Sequence, residues 1–66
     1  MTELEKLKHL IEHWIEHNEA HAQTYGEWES KAEALGETEL SDLLKNIVEE
    51  SGKLNGLFSK AMKLIK

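Results

Sequence analysis

Apolar side chains return along the first half of the chain at alternating steps of three and four. Leu4, Ile11, Asn18, Tyr25 and Ala32 form one row seven apart, and Leu7, Trp14, His21, Trp28 and Leu35 form a second. A repeat near 3.5 residues keeps one side of an α-helix turned in a constant direction, so the two rows predict a helix over about residues 3–35. Its start is marked by "TELE": Thr2 can accept from the first free backbone N–H groups while Glu5 reaches back, a capping box. Gly26 falls inside the run at a cost of about 1 kcal/mol relative to alanine. Trp28, Ala32 and Leu35 nevertheless keep the phase, so a single helix is expected.

The rhythm breaks at "LGETELS". Gly36 suits the left-handed position just past a helix end. Thr38 then offers a cap, and Glu39 and Asp42 favour the positive end of a second helix, expected over about 39–65. Leu40, Leu44, Ile47, Leu54, Phe58, Ala61 and Ile65 line one face of it, widened by Leu43, Leu57, Met62 and Leu64. A turn over about 36–38 makes the helices antiparallel neighbours. The expected fold is all-α, an antiparallel two-helix hairpin forming one domain over 1–66. Trp14 should then meet Phe58 and Ala61, and Trp28 should meet Leu44 and Ile47. Asn18, His21 and Tyr25 should face Ser51, Gly52, Asn55 and Gly56, the glycines leaving room for a ring.

Size sharpens this picture. A chain of 66 residues makes a thin core, and small domains usually add a disulfide, a metal or another copy. There are no cysteines, which excludes disulfides and thiolate zinc sites. Each predicted helix also carries apolar residues beyond the shared seam: Leu10 and Ile15 on the first, Val48, Leu57 and Met62 on the second. Exposed single apolars are ordinary, but a wide stripe on both helices favours a homodimer closing into a four-helix bundle.

Charge removes other classes. The net charge is −5, and the basic end (Lys53, Lys60, Lys63 and Lys66) is ordinary complementation of a helix C-terminus, so no nucleic-acid partner is expected. No run of about 18 apolar residues is present, so no membrane span is expected. The opening "MTELEKLKHL" lacks the apolar core of a signal peptide, which makes a cytoplasmic protein the expectation.

The candidate chemistry lies in "HLIEHWIEHNEAH", where His9, His13, His17 and His21 stand four apart. Residues four apart sit one turn up and about 40° around, so the ladder spirals. His9 should face solvent, His13 the outer flank, His17 the boundary and His21 the side nearest the seam. An i, i+4 histidine pair supplies two nitrogen donors to one ion. Zinc takes about four ligands and nickel four to six, so Glu12, Glu16, Glu19 or a second copy would have to complete the set, with Asn18 orienting a ligand. H-E-x-x-H is absent, as is the Glu-x-x-His of di-iron bundles, and nothing suggests a catalytic pocket, so no enzyme is expected. The competing reading makes the ladder plain surface, with Asn18 and His21 a polar layer that fixes helix register.

The run "HWIEHNEAHAQTYGEWESKAEALG", with His13, Trp14, His17, Asn18, His21, Ala22, Tyr25 and Trp28, resembles a family of small, largely uncharacterised helical domains from anaerobic microbes. Its pattern is roughly H-W-x-x-H-N-x-x-H-A, followed by an aromatic residue, a tryptophan and a glycine-ended turn. Gln23, Thr24 and Gly26 stand where relatives look more charged. Association of such domains with modules that look metal-related implies metal handling. The expectation is therefore a small Zn or Ni binder using His13, His17 and His21, working as a homodimer with a metal-handling protein partner. The alternative is a structural or protein-interaction module without metal.

Overall fold

The computed structural model describes residues 2–65, and Lys66 of the basic end lies outside them. Its fold is an all-α hairpin of two helices, α1 over Glu3–Ala34 and α2 over Thr38–Leu64. Helix α1 begins with one half of the expected capping box, the Glu5 N–H donating to Thr2 Oγ1 at 3.1 Å, while the return bond from the Glu5 side chain is not formed among the described residues. It runs without interruption through Gly26.

The turn is built from three residues. Gly36 sits at φ +83°, its N–H donates to the Glu33 carbonyl, and the Glu37 N–H reaches back to the Ala32 carbonyl, both at 3.0 Å. That pair of bonds around a left-handed glycine is the Schellman arrangement, which satisfies carbonyls left open at the end of α1. It also corrects the expected start of α2. Glu37, not Thr38, takes the cap position, with no side-chain cap bond, and its carbonyl accepts from the Ser41 N–H at 2.9 Å. The closing bond of α1 and the opening bond of α2 share one residue, leaving no room for a separate capping threonine.

The seam follows one predicted row and replaces the other. Ile11, Asn18, Tyr25 and Ala32 do face α2, but the second row is Ile15, Ala22 and Glu29 rather than Trp14, His21 and Trp28. On α2 the seam consists of Ser41, Leu44, Val48, Ser51, Asn55, Phe58, Met62 and Ile65. Ile15, Val48 and Met62, expected outside, are in it; Leu40, Ile47 and Leu54, expected inside, are exposed. Small residues explain the choice. Ala22, Ala32, Ser41 and Ser51 allow close approach of two helices, whereas an indole is too large for a seam one side chain deep. Trp14 still finds Phe58, with ring centres 6.1 Å apart, but from the edge, leaving it 42% exposed. Trp28 is 53% exposed and carries the Lys31 ammonium 4.3 Å above its ring.

The glycines do not make room for rings. A Cβ at Gly52 or Gly56 would meet nothing within 4 Å, and both residues are exposed. Ser41 is the buried polar group of the seam, and its Oγ donates to the Glu29 carbonyl at 3.2 Å, tying the first turn of α2 to α1. Among the described residues, Ile11 and Ala32 are the apolar residues that become buried, each to 5% exposure.

These side chains make a plate rather than a ball. Its extents are 51 × 16 × 11 Å and its radius of gyration is 15.3 Å, against about 11 Å for a compact domain of this length.

The open surroundings of Gly52 and the positive φ of Gly36 give opposite expectations for alanine. Gly52→Ala should raise stability by about 0.5–1 kcal/mol in urea unfolding, because it removes backbone freedom from a helix interior at no steric cost. Gly36→Ala should lower it by a similar amount or more. A destabilising Gly52→Ala would mean that this position faces a close neighbour after all.

Candidate metal centre

Helix α1 carries all four histidines on consecutive turns, and all four are exposed. Their rings are not equally spaced. His13 and His17 lie with centres 4.2 Å apart and planes inclined by 59°. His17 and His21 are 6.2 Å apart, because His21 leans onto the Tyr25 ring, also at 6.2 Å and nearly parallel at 17°. His9 turns the other way, placing Nδ1 3.7 Å from the Glu12 carboxylate. The structure thus brings His13 and His17 together, holds His21 one turn further on against an aromatic face, and leaves His9 apart.

The donor set of one chain is small. Among the described residues, no three histidine, aspartate or glutamate side chains gather into a group able to hold an ion. Glu16 and Glu19 share the exposed side of α1 but make no ion pair that would fix them. What one helix offers is two imidazoles in contact one turn apart, with a third one turn further on.

Asn18 has a different task from the one its position beside the ladder suggested. Its Nδ2 donates to the Ser51 carbonyl and to Asn55 Oδ1, both at 2.8 Å. Both protons of the amide are spent on α2. Asn18 clamps the two helices at the middle of the seam. The sequence carried a signal for this clamp: Asn18 interrupts an otherwise apolar row, and Asn55 stands seven residues after Val48 in the facing one.

Beside the clamp the plate opens into a shallow groove of about 600 Å³, with Asn18 and Tyr25 on one wall and Leu43, Ile47 and Leu54 on the other. Glu50 and Asn46 also line it. His21, through its stack on Tyr25, borders this groove, while His13 and His17 stand progressively further round the helix.

Comparison with known proteins places residues 7–65 within a family described as a domain of unknown function, DUF8180. An uncharacterised protein of Archaeoglobus fulgidus is 32% identical over 62 residues, a match covering 94% of this chain and 98% of that protein. No solved structure matches the chain. The chain belongs to the DUF8180 family, a small and uncharacterised one.

The clamp and the ladder separate by mutation. Asn18→Ala should cost about 1–2 kcal/mol of stability, the usual effect of losing part-buried hydrogen bonds, without altering the response to added metal. Parallel loss of metal response in Asn18→Ala would return Asn18 to the site.

Proposed function

We propose that this protein is a small helical binder of a divalent transition metal, Zn or Ni, built on the histidine ladder. The observation that carries the reading is the approach of the His13 and His17 rings to 4.2 Å on an exposed helical face, one turn apart. Two imidazoles in that relation chelate one ion, and His21 is the third donor once it leaves Tyr25. Water fills the remaining positions. In this reading the H-W-x-x-H-N-x-x-H-A run is the signature of the family. The protein is a cytoplasmic carrier or sensor rather than an enzyme, and passes its ion to a metal-handling partner.

A second reading has its own observation. Leu7, Trp14, Trp28, Leu43 and Leu57 are large apolar residues left exposed on the hairpin, which supports a structural or interaction module that needs no metal.

Titration with Zn²⁺ or Ni²⁺, followed by the imidazole resonances, separates the two. Metal binding predicts localised shifts at His13, His17 and His21 at micromolar metal, corresponding to about −8 kcal/mol. His17→Ala should abolish most of the response, since His17 belongs to both inner pairs, while His9→Ala should change little. Binding should be full near pH ~7.5 and fade by about pH 5.5, because only neutral imidazole is a ligand and protons compete for it. Equal losses from His9→Ala and His17→Ala would contradict a specific site and leave the metal-free module.

A further inference from the structure

The hairpin exposes 5289 Å² for a mass of 7.6 kDa. A compact folded monomer of that mass exposes about 4,300 Å², so this chain carries roughly 1,000 Å² more than its size warrants. The excess is comparable with the ~800 Å² that each partner contributes to a stable protein interface.

Part of the exposed apolar surface is gathered on one side of the hairpin. Tyr25 of α1 and Leu43, Ile47 and Leu54 of α2 line one groove and therefore share one broad face. Residues three or four positions from these continue the same stripes: Trp28 on α1, Leu40 and Leu57 on α2. All but Tyr25 are exposed by 42% or more. Asn18, Asn46, Glu50 and Ser51 are interspersed among these apolar side chains in the lining of the groove.

We infer that this face is covered by a second copy of the chain, stacked layer on layer as a four-helix bundle. A twofold axis between two fully overlapping plates runs either along the helices or across them. Both choices set the groove against its own counterpart, so the apolar stripe of one copy meets the same stripe of the other. A second copy also brings an excess of exposed surface of the same size. This association needs no metal and stands independently of the histidine reading.

Sedimentation equilibrium of the full chain in the presence of a chelator tests it. The expected mass is twice 7.6 kDa at high micromolar concentration, with a melting temperature that rises with protein concentration. Leu54→Glu should weaken dimerisation at least 100-fold, whereas Gln23→Glu, seven residues before Ser30 on the polar side of α1, should leave it unchanged. If Leu54→Glu does not fold alone, the concentration dependence of the wild-type melt still decides. A nitroxide at Glu50→Cys should show intermolecular dipolar broadening that one at Gln23→Cys lacks. A monomer with a concentration-independent melt would overturn the inference. So would a dimer that forms only when metal is added, because bridging ions rather than this face would then hold it.

Discussion

Two helices side by side have one seam, and a seam has two edges. Every feature of this protein follows from that geometric limit. A domain ordinarily encloses its apolar side chains between two packed layers, and this hairpin is one layer, 11 Å through its thinnest extent. The seam is filled by side chains that let the helices come close: Ala22, Ala32, Ser41 and Ser51, with the Asn18–Asn55 clamp at the centre. The bulkier residues, including Trp14, Trp28, Ile47 and Leu54, are left at the edge. The single layer thus creates both the internal polar clamp and the uncovered apolar face.

The elements of the fold were legible in the sequence because local rules set them. The heptad rhythm gave both helices, Thr2 gave the first cap, and Gly36 gave the left-handed turn. The packing phase was only half legible. Reading hydrophobicity by size assigned Trp14 and Trp28 to the seam, where closeness of approach favoured Ile15 and Ala22 instead. One heptad row fits either choice, since Ile11, Asn18, Tyr25 and Ala32 border both. Gly52 and Gly56 misled for a related reason: a small residue facing a partner and a small residue facing water look alike in sequence.

The histidines show the same division. Spacing alone placed them one turn apart, with His9 turned away; the 4.2 Å approach of His13 and His17, against 6.2 Å for the equally spaced His17 and His21, is set by side-chain rotamers. It did not reveal that His21 rests on Tyr25, or that the Asn18 amide donates twice to α2. Both are contacts set by tertiary packing at the edge of the groove. The ladder and the apolar face meet there, so a dimer places His21 at the interface margin while His13 and His17 remain outside it. The proposed assembly and the proposed metal binding then occupy adjacent surfaces of one helix and are separable.

The central claim is that a second layer covers this face, and Trp28, which lies on it, reports on it directly. Trp28 is 53% exposed in the lone chain, so its indole meets water there. The measurement is tryptophan emission across a dilution series in chelator, with helicity recorded alongside. The account predicts blue-shifted emission at high concentration that moves to the red on dilution. Emission already red at every concentration, from a chain that stays fully helical, would contradict it.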